Sequence, residues 1–198
     1  GRATSTMEFS HYAETPSNIS EEVIAADPVT VILSQQGWAR VAKGHEIDPL
    51  TLNYKSGDGF KQAVLGKSNQ LVVFLDSAGR TYSLLSHKLP SARGQGEPLT
   101  SRFTPSPGAT FEGIIGGNPD QMVLLASDAG YGFVAKLEDL YTKSRNGKAS
   151  LNVPKNSRAL PPQVVTSVDD QYLAAITNEG RMLLFPTACL PVLSKGKG

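Results

Sequence analysis

Three short segments of this chain combine glycine with arginine or lysine in a way that could hold phosphate. They read Ser91-Ala-Arg-Gly-Gln-Gly96, Lys143-Ser-Arg-Asn-Gly-Lys148 and Ser194-Lys-Gly-Lys-Gly198, and a looser version, Arg40-Val-Ala-Lys-Gly44, stands earlier. A glycine at an exposed corner leaves backbone N–H groups within reach of a ligand, and long cationic side chains beside it suit phosphate oxygens. On this reading Arg93, Arg145, Lys148, Lys195 and Lys197 are the leading candidates for contact with a nucleic-acid backbone, and Arg40, Lys43, Arg80 and Arg181 follow. The plainer reading is that the glycines make corners and the basic residues keep those corners solvated. Recurrence at nearly one distance from a turn glycine in three places weighs against accident. On the residues alone both readings stand.

Other chemistries fail on spacing. Gly66-Lys67-Ser68 looks like the end of a P-loop, but the glycine required five residues earlier is replaced by Lys61 and no helical pattern follows. His11, His45 and His87 are far apart and lack carboxylates or cysteines at metal-ligand spacing. Asp169-Asp170 fits turn chemistry better than a catalytic pair, and no nucleophile-elbow sequence occurs. Cys189 lies in an apolar stretch and is expected to be a core thiol. Trp38 and Tyr131 follow equivalent turns; they could be packing anchors or rings that face DNA, and packing is the expectation. No catalytic constellation and no cofactor site emerges.

The elements that must position the basic loops are written in a repeat. A thirteen-residue pattern occurs four times without a gap, beginning at Val29, Leu71, Met122 and Tyr172. Each copy has an apolar run, then Ser, Asp or Thr three places before a glycine, then a second, partly apolar run. The glycines are Gly37, Gly79, Gly130 and Gly180, spaced by 42, 51 and 50 residues. Asp76-Ser-Ala-Gly79 fits a type I turn in which the polar residue caps backbone donors and glycine takes the positive φ that other residues resist. The first run of each copy is continuously apolar, as for a strand covered on both faces, and the second suits a strand nearer solvent. Looser strands are expected at Ala109–Ile115 and Pro162–Ser167. A lone hairpin cannot bury such a face, so the copies must stack. A hairpin period of roughly 40–50 residues indicates an all-β, propeller-like array with repeats starting near 28, 70, 121 and 171. The chain stops at Gly198, before the fourth repeat is complete. Either strand exchange completes that blade or the array continues, and continuation is the expectation.

The 198 residues include 19 Gly and 13 Pro, consistent with many turns, and one cysteine, which rules out an internal disulfide framework. The lack of an apolar run of ~18–20 residues leads us to expect a soluble, cytoplasmic protein with no membrane partner. The net charge of +1 averages two unlike parts. Residues 1–27 set Arg2 against Glu8, Glu14, Glu21, Glu22 and Asp27, a net of −4, so residues 28–198 hold 18 basic and 13 acidic groups, a net of +5. We read 1–27 as a flexible acidic linker or a tail left by cloning, and 28–198 as the folded body; its mild basicity is weak support for a polyanion partner.

The segments Gly37-WARVAKGHEID, Leu52-NYKSGDGFK, Pro90-SARGQGEPLT, Ala126-SDAGYGFV and Leu190-PVLSKGKG resemble the C-terminal domains of the ParC subunits of bacterial DNA topoisomerase IV, of the type IIA topoisomerase family. The resemblance runs over about residues 28–198 with the motifs in order. It implies a broken β-propeller, or β-pinwheel, of four-stranded blades with exchanged strands, which binds and bends duplex DNA on a basic rim. The related gyrase domain carries a Gln-Arg-Arg-Gly-Gly-(Lys/Arg)-Gly box. Only degenerate forms stand here at 91–96, 143–148 and 194–198, which favours topoisomerase IV over gyrase. The resemblance further implies that the domain directs decatenation and supercoil relaxation by the holoenzyme, within bacterial chromosome segregation at the nucleoid. DNA cleavage would belong to other domains, ATP and Mg2+ to the holoenzyme, and none of Tyr12, Tyr54, Tyr82, Tyr131, Tyr141 or Tyr172 matches the cleaving tyrosine's motif. The implied partners are duplex DNA, the rest of the ParC subunit, the ParE subunit and a bacterial condensin. A protein-interaction propeller is the alternative reading.

Overall fold

The computed structural model describes residues 26–198; of the acidic lead-in 1–27, read above as flexible, residues 1–25 lie outside the described residues. Thirteen strands follow in order. The first seven are β1 (Pro28–Ser34), β2 (Trp38–Lys43), β3 (Phe60–Lys67), β4 (Leu71–Asp76), β5 (Arg80–Leu85), β6 (Glu97–Pro98) and β7 (Phe111–Gly116). The rest are β8 (Met122–Ala126), β9 (Gly132–Lys136), β10 (Lys148–Ala149), β11 (Gln163–Val165), β12 (Tyr172–Ile176) and β13 (Met182–Pro186). They form antiparallel sheets ordered β3-β1-β2-β6, β10-β5-β4-β7, β11-β8-β9 and β12-β13. Short 3-10 turns are the only helical elements among the described residues. The array is a broken β-propeller of the β-pinwheel kind, whose sheets do not close into a ring.

Every copy of the repeat is a hairpin closed by the same turn. Gly37, Gly79, Gly130 and Gly180 have φ between 79 and 84°. Each donates its N–H to the carbonyl three residues back, at 3.0–3.1 Å. The polar residue at the turn's start does the capping. Asp76 accepts from the Ala78 and Arg80 N–H groups, Ser34 from Trp38 and Thr177 from Arg181. Asp76 is fully buried and also accepts from the Tyr82 hydroxyl at 2.7 Å. Burial comes first among the causes that push the Tyr82 phenol well above its ordinary range, and the Asp76 carboxylate adds to it.

The continuous apolar runs are explained by packing on both faces. Val72 and Phe74 of β4 face the first blade, where they join Val31, Leu33, Tyr82, Phe103 and Phe111. Val73 and Leu75 of the same strand face the third blade, with Val123, Leu125, Phe133 and Leu140. Fully burying each such side chain contributes about 1.5–3 kcal/mol. The aromatic group between the first two blades is tilted or edge-on, with Tyr82 and Phe103 centroids 5.0 Å apart and Phe74 and Phe111 6.5 Å apart.

Blades are completed by their successors. The strand after each hairpin (β3, β7, β11) adds to its first strand, while the glycine-and-base loop of the next repeat runs back to its second strand. Glu97-Pro98 pairs with Trp38-Ala39, and Lys148-Ala149 pairs with Arg80-Thr81. At the third blade the C-terminal segment runs along β9 through Val134 and Val192. Gly96, Gly147 and Gly198 recur at an interval of 51 and all have positive φ, at +90, +73 and +92°. Each approaches the hairpin of the blade before it. A Cβ on Gly96 would stand 2.5 Å from the Ala39 carbonyl oxygen, one on Gly147 2.7 Å from the Tyr82 ring, and one on Gly198 would meet the Gly132 carbonyl. These glycines are therefore required for strand exchange, whatever else the loops do.

The first copy differs, and its shorter spacing of 42 has a structural reason. Its segment 44–59 folds back on its own blade. Thr30 donates its hydroxyl to the Gly44 carbonyl at 2.7 Å, the Arg40 guanidinium lies 4.6 Å from the Tyr54 ring centroid, and the Lys55 ammonium lies 3.7 Å from the Trp38 ring. Asp58 accepts from the Gln36 and Gly59 N–H groups and fastens the segment's far end. Ile32, on this otherwise outer face, is 1 % exposed.

The last hairpin departs from expectation. Tyr172, Ile176, Met182, Leu183 and Leu184 are 59–70 % exposed, and since Leu183 and Leu184 point to opposite faces, the run that reads as doubly covered is largely open on both, with Leu173 packing against the third blade. Cys189 is exposed, correcting the expectation of a core thiol: it ends the 3-10 turn Thr187–Cys189 that follows this open hairpin. Tyr131 is exposed too, so of the two residues after the turn only Trp38 is half-buried.

Candidate nucleic-acid interface

The three exchange loops are equivalent in the repeat and cross to the preceding blade in the same manner, so they recur along one edge of the arc. This edge carries most of the cations that the sequence singled out, and the structure sorts them by what their side chains hold.

Arg93, Lys195 and Lys197 are exposed. Arg93 and Lys43 line a groove between the first exchange loop and segment 44–59. Lys197 places its ammonium 3.8 Å from the exposed Tyr131 ring, presenting a cation and an aromatic face together on the third blade. Lys143, exposed in the second loop, was not among the candidates although it lies in the quoted Lys143–Lys148 motif; its recurrence beside Ala92 and Ser194, which are not basic, hid it. Arg145 is exposed while its guanidinium donates to the carbonyls of Arg102 and Ser101 at 3.0 and 3.1 Å. This pins the second loop to the stretch following β6.

Of the remaining candidates, all but Arg181 are braced. Arg40 is 3 % exposed and donates to the Gly94 carbonyl at 2.8 Å from beneath the loop that carries Arg93. Arg80 donates to the Asn146 and Gly147 carbonyls at 2.8 and 3.2 Å, the same service in the second loop. Lys148 turns inward to the Asp139 carbonyl. Arg181 is exposed and lies 3.7 Å from Glu179, a contact that solvent screens almost entirely. The structure thus brings two sets of basic residues together: an exposed set on the loops, and Arg40 and Arg80, which hold the loop backbones that present it.

Among the described residues no cluster of three His, Cys, Asp or Glu could hold a metal ion. Residues that shape the edge and escaped sequence reasoning are Leu89, Leu140 and Leu190. Each closes a 3-10 turn just before an exchange loop, and the first two are buried. The carbonyls of Gln70, Gln121 and Gln171 accept from the first residues of those turns, Ser86, Leu137 and Thr187. The Gln that recurs before the second, third and fourth copies is the signal that could have located them.

No protein-family model matches the chain. It is 56 % identical over 177 residues to the A subunit of DNA topoisomerase 4 from Pseudomonas aeruginosa and 55 % identical over 177 residues to that of Escherichia coli K12. Each alignment covers 89 % of this chain, which spans about a quarter of those relatives (24 % and 23 %). Among solved structures it resembles the E. coli ParC C-terminal domain, with a TM-score of 0.80 and 56 % identity over 87 % of this chain and 70 % of that one. The C-terminal domain of another DNA topoisomerase IV shares the fold at 12 % identity, with a TM-score of 0.72 over 88 % of this chain and 56 % of that one.

Proposed function

Because the chain belongs to the C-terminal domains of the ParC subunits of DNA topoisomerase IV, we propose that it engages duplex DNA along the edge where its exchange loops cross, as a non-catalytic module of a larger enzyme. The observation that carries this reading is the repetition of exposed cations on three successive loops: Arg93 beside Lys43, then Lys143 and Arg145, then Lys195 and Lys197. Among the described residues none of these six has a carboxylate within ion-pair distance. Lys and Arg so placed displace condensed counterions from phosphates, which gives affinity that is independent of sequence and sensitive to salt. The strand exchange supplies rigidity, since each loop is stitched into a neighbouring sheet. Cations spaced along an arc favour a bent duplex over a straight one, and holding it bent presents it to the rest of the enzyme in a preferred geometry. Decatenation and relaxation, with the rest of the ParC subunit and ParE as partners, and ATP and Mg2+ used elsewhere in the holoenzyme, belong to the same proposal.

The test is duplex binding by fluorescence anisotropy across a salt series. The domain should bind in the range of ~10⁻⁴–10⁻⁶ M near physiological salt. Changing Lys43, Arg93, Lys143, Lys195 and Lys197 together to Ala should lower the slope of log K against log salt by up to about 4–5. Affinity unmoved by both salt and substitution would overturn the proposal.

A further inference from the structure

We propose that the groove on the first blade is a docking site for the chain's own acidic segment, Glu21-Glu22-Val23-Ile24, so that this segment and DNA compete for Lys43 and Arg93. The competition rests on the DNA reading above; the docking does not.

The groove is open and has a volume of about 450 Å³, and Ala42, Ile47, Leu52 and Ala92 line it together with Lys43 and Arg93. A lining that combines apolar side chains with two cations suits an aliphatic side chain flanked by carboxylates. A phosphodiester backbone satisfies the cations and leaves the apolar side chains uncovered. Glu21-Glu22-Val23-Ile24 carries both kinds of group. Its surroundings reinforce the match, since residues 1–27 have a net charge of −4 against +5 for the remainder.

The path of the chain leads to the same place. A second depression, lined by Pro28, Gly44 and His45, shares Lys43 and Ile47 with the groove and so continues it. The Pro28 carbonyl accepts from the Gly44 N–H at 2.8 Å, which seats the entry to β1 at the groove's end. Asp27 is also fixed, its N–H donating to the Ser68 hydroxyl at 3.2 Å and its carbonyl accepting from the Ser68 N–H at 2.9 Å, so Glu22 lies five residues back, a reach of up to about 18 Å. Glu46 also lines the second depression. Its charge disfavours carboxylates there and directs Glu21 and Glu22 onward to Lys43 and Arg93.

Docking is tested on the full chain in a Cys189→Ser background, which removes the sole cysteine. Val23→Cys combined with Ala92→Cys should form a disulfide under mild oxidation at least about tenfold faster than Val23→Cys combined with Ser106→Cys, which lies outside the groove. Equal rates overturn the proposal. Competition is then read by duplex anisotropy at low salt. Glu21→Gln with Glu22→Gln should tighten binding by about two- to thirtyfold, the range expected for two solvent-exposed ion pairs. That gain should vanish when Lys43→Ala and Arg93→Ala are also present. A gain that persists there reflects general repulsion and overturns the competition. If the chain does not bind DNA at all, the proposed function fails while the disulfide rates still decide the docking.

Discussion

Gly147→Ala isolates the packing of an exchange loop, because a second glycine provides its control. Gly147 has φ +73°, where an L side chain costs about 1–2 kcal/mol. An added Cβ would also lie 2.7 and 2.8 Å from two atoms of the Tyr82 ring and 2.9 Å from the Thr81 carbonyl oxygen. The ring cannot swing away, being fully buried and tied to Asp76. Overpacking of this kind costs about 1–3 kcal/mol more, for a total of about 2–5 kcal/mol. Gly130 has φ +84° with nothing within 4 Å of a built Cβ, so Gly130→Ala carries the conformational cost alone. At about 2–4 °C per kcal/mol for a domain of this size, Gly147→Ala should melt about 2–12 °C below Gly130→Ala in a calorimetric scan. Melting temperatures within about 1 °C of one another would refute the seating of the loop beneath Tyr82.

Tyr82→Phe removes the 2.7 Å bond to Asp76 and strands a buried carboxylate oxygen, so urea unfolding should show a loss of about 1–3 kcal/mol at neutral pH. In the parent protein the buried phenol keeps its proton after the unfolded chain has begun to lose it. Stability should therefore be flat below pH ~10 and fall above it by up to about 1.4 kcal/mol per pH unit for this residue, a fall that Tyr82→Phe makes shallower. Gln62→Ala deletes both hydrogen bonds that its amide makes to the Ile114 backbone, each 3.0 Å, and should cost about 1–3 kcal/mol while raising hydrogen exchange at the Ile114 N–H. For Asp58, burial raises the pKa, but hydrogen bonds from Ser34, Gln36 and Gly59 outweigh it and hold the carboxyl below its usual value. Its contribution is present above the ordinary carboxylate range and lost as pH falls through the folded value; Asp58→Asn should remove that acid dependence from the melting curve.

The hairpins were legible because their information is local. A positive φ demands glycine, a cap demands a short polar side chain, and a strand packed on both faces demands an unbroken apolar run, as in Leu71–Leu75. Strand exchange was only partly legible. Glu97-Pro98 is too short for any periodicity, and its partner Trp38-Ala39 lies about sixty residues earlier, so nothing local announces the pairing. The interval of 51 between Gly96, Gly147 and Gly198 was the available clue. Among the cations, residue type suggested phosphate for Arg40 and Arg93 alike, but only three-dimensional packing distinguishes them. Arg40 faces the side of its blade that Tyr54 covers, and it spends its hydrogen bond on the loop that lifts Arg93 into solvent. Cys189 misled for the converse reason, since an apolar neighbourhood in sequence is no guarantee of a covering surface.

Completion of each blade by its successor also sets a clock on synthesis. The first hairpin leaves the ribosome with the outer edge of β2 unpaired, and its partner at Glu97-Pro98 follows about sixty residues later. At about 5–20 residues per second that edge stays open for roughly 3–12 s, and the wait recurs at each blade. Open edges of this sort invite pairing with other chains. A nascent chain that has emerged from the ribosome only as far as residue 90 should accordingly be cut by protease near Trp38–Lys43, and one that has emerged beyond residue 104 should be protected there. The arc is thus assembled in a fixed direction, each unit provisional until the next arrives.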